Sequence, residues 1–259
     1  MRPLKALYTG SPALGIHQRK EAVYMLKQEL IKRSPLRILE QSTHGGLGRG
    51  NIGVIASPKG VGKTACLVNI SLDTMLQGKQ VLHISFSEDA HHIISWYENI
   101  FRELSSCFGL DRASDIFDEC RKNRIIMHFA QAGMQITAIE KSIETLITNS
   151  HFNAQTIIID GYNFKKSSSD DMLEFKRFAE KLDCELWFSA SVPEGNGGFD
   201  GSSVPQVLEP FINELAIIIC LQPHDRFIRI NLIKDHATMV RSDLHLKLDP
   251  GLLLITEQK

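Results

Sequence analysis

The loop Ser57-Pro58-Lys59-Gly60-Val61-Gly62-Lys63-Thr64 constrains this chain more than any other feature, because of what stands on either side of it. Before it runs Ile52–Ala56, a short apolar stretch with β-branched residues. After it, Thr64–Gln77 repeats apolar residues at helical spacing (Leu67, Val68, Ile70, Leu72, Met75, Leu76) as far as Gly78. Gly60 and Gly62 allow a turn in which successive backbone N–H groups point inward, and the N-terminus of the helix adds its dipole. Such a cradle accepts phosphate oxygens. Lys63 then places a point charge on the β/γ-phosphates, and the Thr64 hydroxyl can ligate Mg²⁺. The pattern is Gly-x-x-x-x-Gly-Lys-[Ser/Thr], with Ser57 at the first position, the one least tied to phosphate contact. The expected nucleotide-binding set is Ser57, Pro58, Lys59, Gly60, Val61, Gly62, Lys63, Thr64 and Ala65, with ATP and Mg²⁺ as ligands.

Further along, apolar runs at Val81–Phe86, Ile125–Ala130, Thr156–Asp160 and Glu185–Ala190 read as strands. Helical patterns over Asp89–Leu110, Ile136–Thr148 and Asp170–Leu182 separate them. Strands spaced by helices of ten or more residues predict an α/β fold, with a mostly parallel sheet covered on both faces. Four strand candidates with short links close the chain: Leu215–Leu221, Phe227–Ile233, Leu244–Leu248 and Leu252–Ile255. Short links suit an antiparallel C-terminal extension. Upstream, Pro12–Arg33 reads as an amphipathic helix with Ile16, Val23, Leu26, Leu30 and Ile31 on one face. Ser34-Pro35 ends it, and the connection Gly45-Gly46-Leu47-Gly48-Arg49-Gly50 follows. This divides the chain into a helical appendage, residues 1–42, and an α/β core, residues 43–259.

The formal net charge of -1 argues against a strongly basic nucleic-acid protein. Five scattered cysteines without a Cys-x-x-Cys pair argue against a disulfide framework or zinc site, and fit reduced thiols in a cytoplasmic protein. Arg2 and Lys5 are followed by Tyr8-Thr9-Gly10-Ser11-Pro12, which does not have the form of a secretory leader, and no apolar run suggests a membrane span. His91-His92 points in adjacent directions on a helix and makes a poor chelate.

Two carboxylates complete the expected site. Ile157-Ile158-Ile159-Asp160 is a hydrophobic strand ending in an acid, a position suited to hold Mg²⁺ and its water shell. Glu88 follows the strand Val81–Phe86, where a carboxylate can polarise an attacking water. The expected catalytic pair is Glu88 and Lys63, and the expected metal pair Thr64 and Asp160.

The run Gly45-Gly46-Leu47-x-x-Gly50, then strand, loop, helix, Gly78 and the strand ending Ile84-Ser85-Phe86-Ser87-Glu88, resembles the RecA-like P-loop ATPases, in the branch of KaiC and DnaB. The resemblance is specific over residues 43–90 and follows the order of elements over roughly 40–256. It implies a RecA-like P-loop NTPase core, ATP held between neighbouring subunits and a homo-oligomer, usually a hexameric ring. It also implies that Lys63 and Thr64 are the Walker A pair, Asp160 the Walker B acid and Glu88 the catalytic carboxylate. KaiC-type proteins carry two adjacent glutamates where this chain has Ser87-Glu88, which weakens the case for fast hydrolysis but not for binding. The family's late-strand Lys-x-Arg pair, reaching a neighbour's γ-phosphate, falls on Lys234 and His236, with Arg241 a few residues on as a substitute. A channel-facing loop falls on Val192–Pro205, which holds Glu194, Asp200 and Phe199 but no Lys or Arg. Phosphate contact needs cations, so the loop argues against tight nucleic-acid binding. The sequence thus predicts a slowly hydrolysing, oligomeric nucleotide-dependent switch acting on an unidentified protein partner. A non-hydrolysing nucleotide-gated module and, less favoured, a DNA motor are the alternatives.

Overall fold

The computed structural model describes residues 16–110, 113–129, 136–193 and 201–258. Two helices, α1 (Ile16–Lys32) and α2 (Leu36–Ser42), precede β1 (Ile52–Ser57) and α3 (Lys63–Leu76). Then come β2 (Gln80–Ser85), α4 (Ala90–Phe108), α5 (Ala113–Arg121), β3 (Arg124–His128), α6 (Ile136–Ser150) and β4 (Ala154–Asp160). After α7 (Ser169–Leu182) and β5 (Glu185–Ser191), the chain ends in β6 (Leu215–Pro223), β7 (Ile228–Asp235), β8 (Thr238–Leu248) and β9 (Ile255–Glu257). Short 3₁₀ turns at Phe164–Lys166 and Gln206–Phe211 flank α7 and β6.

One nine-stranded sheet runs in the order β3-β2-β4-β5-β1-β6-β7-β8-β9. Its core is parallel, and β6–β9 pair antiparallel with one another. β6 is the seam, since it lies parallel to β1 on one side and antiparallel to β7 on the other. Every residue of β1 is buried. That explains its unbroken apolar run, since a strand covered on both faces has no polar side to alternate with. Successive residues feed different layers. Ile55 and Ile158 pack with Leu67, Met75, Ile93 and Tyr97 under α3 and α4, while Val54 and Ile157 pack with Ile139, Ile143, Phe175 and Phe178 under α6 and α7.

Local signals set the helix ends. Asp89 caps α4 by accepting the His92 N–H at 2.9 Å. Ser168 and Asp171 form a reciprocal capping box at the start of α7. Val23 and Leu30 of α1 and Leu36 and Leu39 of α2 are buried in the same core cluster as α3, whereas Met25 is exposed.

Several boundaries differ from the sequence reading. α2 and α5 both occupy stretches that the sequence reading assigned no element. Both are short, with few apolar positions to declare a period. The last strand starts at Ile255 instead of Leu252 because Asp249 Oδ1 accepts the N–H groups of Gly251 (2.8 Å) and Leu252 (3.0 Å), which holds that segment as a turn. The start of the Pro12–Arg33 helix, Ala130 and the segment 194–200 with Phe199 lie outside the described residues. Among the described residues no helix is long and apolar enough to cross a membrane. All five cysteines lack a disulfide partner, and four are buried. No group of His, Cys, Asp or Glu there is arranged to hold a metal by itself.

Between α6 and α7, burial, together with Glu174 and Glu144, pushes the Glu140 carboxyl up to about 7. A carboxyl raised in the folded state contributes stability below its unfolded value near 4.5 that is lost as pH rises through about 7. Glu140→Gln is therefore expected to stabilise the chain at pH 8 and to change it little at pH 4. Melting temperatures that shift equally at both pH values would contradict this.

Candidate functional site

The C-terminal end of β1 turns at Ser57 into the glycine-bearing loop, and α3 begins at Lys63. Gly62 has φ +107°, and a Cβ there would meet Leu248 Cδ2 of β8 at 2.4 Å. The backbone conformation therefore favours glycine, and any added side chain would also press on Leu248. Lys63 is buried. Its ammonium lies back over the loop and donates to the carbonyls of Ser57 (3.0 Å) and Pro58 (2.8 Å). Burial pulls its pKa down to about 8, against the opposing attraction of Asp160. The charge is thus held by neutral carbonyls and lacks a full counter-ion at the centre of the cradle.

Asp160 ends β4, two strands from β1, and is 2% exposed. Its Oδ2 accepts from Thr64 Oγ1 at 2.7 Å, so the helix that follows the loop meets the acid across β5. Its Oδ1 accepts from Ser189 Oγ at 2.5 Å, and Ser189 Oγ in turn accepts the Gly161 N–H at 2.7 Å. Gly161 has φ +82°, and a Cβ there would lie 2.8 Å from Ser87 Oγ, so the turn after β4 is drawn tightly against the turn after β2. Ser189 escaped the sequence reading. The available signal was a hydroxyl within the apolar strand Leu186–Ala190, but only strand order shows that it faces Asp160.

A hydroxyl and a carboxylate held 2.7 Å apart are hard oxygen donors. They suit Mg²⁺, which takes few protein ligands and completes its octahedron with water and phosphate oxygens. Thr64 and Asp160 would hold the ion, with Ser189 orienting the carboxylate.

Glu88 lies just beyond β2, the strand paired with β4, and so at the same end of the sheet as Asp160. Its N–H donates to Ser85 Oγ at 2.9 Å. The carboxylate is half-exposed and 3.7 Å from His92 Nδ1 on the first turn of α4. It flanks the site from the solvent side.

Lys234, His236 and Arg241 are not brought to this loop. Register sets Lys234 opposite Ile218 and Asp235 opposite Ile217. Ile217 pairs with Gly53 near the start of β1, whereas Ala56, at the loop end, pairs with Cys220. Lys234 and His236 therefore lie at the end of the sheet away from the loop. Lys234 is buried, donates to the Leu215 carbonyl, and has its pKa lowered by burial. His236 Nδ1 meets Asp235 Oδ1 at 2.7 Å, and the other Asp235 oxygen meets His44 Nδ1 at 2.7 Å. Arg241 is exposed on β8.

No protein-family model matches this chain, and no curated protein matches it.

Proposed function

We propose that the chain binds ATP with Mg²⁺ and works as a slowly hydrolysing ATPase of the RecA/KaiC-like kind, an oligomeric switch set by its nucleotide. The observation that carries this reading is the hydrogen bond between Thr64 and Asp160, formed beside a buried Lys63 inside a glycine-bearing loop. A lysine ammonium, two oxygen donors and a glycine-bearing turn meet at one end of β1, as phosphoryl chemistry requires. Bound Mg²⁺ supplies neutralisation of the β/γ-phosphate charge. Lys63 binds the same oxygens, and Asp160 holds the metal through an orientation set by Ser189. Glu88 is the group to take up a proton from an attacking water, so that ATP and water give ADP and phosphate.

Assembly enters the proposal from the resemblance alone, in which Lys234 and His236, at the far end of the sheet here, would serve a neighbouring subunit's phosphate. Light scattering is expected to find a homo-oligomer stabilised by ATP and Mg²⁺. A monomer at micromolar concentration, with and without nucleotide, would remove the ring from the reading.

A second reading, a nucleotide-gated binding module without hydrolysis, is favoured by one observation. The single candidate base, Glu88, is half-exposed and lies beside His92. Steady-state ATP turnover of native and Glu88→Gln protein separates the two. The ATPase predicts a fall of roughly a hundredfold or more, as removal of a general base typically causes. Equal, near-zero rates favour the module.

A further inference from the structure

A cavity of about 140 Å³ lies at the end of the sheet away from the loop Ser57–Thr64. Gln155 and Thr156 at the start of β4, Glu185 at the start of β5 and Ile217 of β6 line it from the sheet. These strands run parallel to β1 or to one another, so their first residues stand opposite the loop end. From the helices, α2 contributes Leu39 and Glu40, and the C-terminal half of α3 contributes Asp73 and Gln77. Helix α3 thus begins at the loop and finishes at this cavity.

Its polar groups are unevenly satisfied. Asp73 is 6% exposed. Its Oδ2 accepts from Arg37 Nη2 and from Gln77 Nε2, the latter at 2.7 Å, while its Oδ1 is buried without a partner. The same Arg37 donates to Glu40 Oε2 at 2.6 Å, so one guanidinium, itself outside the lining, serves two carboxylates. Glu185 is the third acid of the lining. Arg49 and Lys79 line the cavity too and are exposed, and Arg49 is taken by Asp183. Three acids set against Arg37 and Lys79 leave one negative charge over. Burial raises the Glu40 carboxyl above its usual range in spite of Arg37, with Asp73 adding to the rise, and raises Glu185 in spite of Lys79. A buried carboxylate oxygen without a donor is costly, and a cation that brings N–H groups relieves that cost. Leu39, Leu47, Ile217 and Trp187 supply apolar wall, and an indole face also attracts cations.

We propose that this cavity binds a small organic cation, an alkylammonium group on a short apolar stem. The ammonium sits among Glu40, Asp73 and Glu185, where charge-assisted hydrogen bonds use the spare oxygen of Asp73. The stem lies along Leu39, Leu47 and Trp187. At about 30 Å³ for each water-sized group, the cavity takes roughly five heavy atoms. A bare metal ion does not fit, since no group of His, Cys, Asp or Glu among the described residues is arranged to hold one. The excess of carboxylates disfavours an anion. The site is independent of the loop Ser57–Thr64 and of any nucleotide bound there.

Butylammonium is a probe of that size, with butanol as its neutral counterpart and butyrate as an anionic one. Each is titrated at constant ionic strength into isotope-labelled protein, and the indole N–H resonance of Trp187 reports binding. Trp187→Phe assigns that signal, because Trp96 is the other tryptophan of the chain. Butylammonium is expected to shift the resonance saturably, and butanol and butyrate to leave it in place. Glu40→Gln and Asp73→Asn are each expected to weaken butylammonium about tenfold, as loss of a hydrogen bond to a charged group does. Lys79→Ala is expected to tighten it about threefold, a modest gain because an exposed competing charge is screened. Glu40 is half-exposed, so Glu40→Gln carries the test should the buried Asp73 change unfold the chain. No shift with butylammonium, an equal shift with butanol, or tighter binding of butyrate would overturn the proposal. So would a Glu40→Gln protein with native affinity for butylammonium.

Discussion

Mg²⁺-ATP is expected to bind the Lys63→Ala protein roughly a hundredfold more weakly than the native chain, near the upper end for a charge-assisted hydrogen bond. The ammonium already lies inside the loop, 3.0 Å from the Ser57 carbonyl and 2.8 Å from that of Pro58. Because burial holds its pKa down to about 8, the charged form is poorly compensated until an anion arrives. Alanine removes that charge and leaves Gly60 and Gly62 in place, so the backbone cradle remains. Folding stability should change little, since the lost ammonium was itself costly to bury. Calorimetry beside a melting curve distinguishes the two effects. A folded variant with native ATP affinity would take phosphate binding away from this loop.

The second large effect is expected at Asp160. Asp160→Ala strands two hydroxyls, Thr64 and Ser189, that now donate to its oxygens at 2.7 and 2.5 Å. Loss of buried acceptors costs about 1–3 kcal/mol for each unpaired group. Mg²⁺-dependent binding or turnover should be largely abolished, but part of that loss could follow from weakened folding. Asp160→Asn keeps the size of the side chain and removes the charge, so it isolates the metal effect. In that protein the ratio of ATP affinities with and without Mg²⁺ should fall close to one. A ratio as large as the native one would place the metal on other ligands.

Much of this architecture was legible because its elements announce themselves over short windows. Ile52–Ala56 and Thr156–Asp160 are apolar runs too short for helices, and they are buried on both faces as such runs require. The loop Ser57–Thr64 was legible for a related reason. Glycines, a lysine and a threonine at fixed spacing meet a local geometric need, and strand and helix flank them directly in the chain. By contrast, α2 and α5 contribute few apolar residues each, and their helical state is stabilised by tertiary packing, α2 against β8 and α5 against α1, α3 and α4. Secondary structure held by tertiary contacts leaves a weak periodic trace.

The sequence by itself determined the α/β alternation, the loop Ser57–Thr64 and the carboxylate at the end of an apolar strand. All three are properties of neighbouring residues. Only the tertiary structure decided what this loop faces. Strand order brings Thr64 to Asp160 across β5 and sets Ser189 behind the acid. The antiparallel return of β7 carries Lys234 to the opposite end of the sheet and leaves Leu248 of β8 against Gly62. The Thr64–Asp160 and Gly62–Leu248 contacts join residues about a hundred or more positions apart. Their partners are chosen by which strand lies next to which, and no local pattern along the chain encodes that choice.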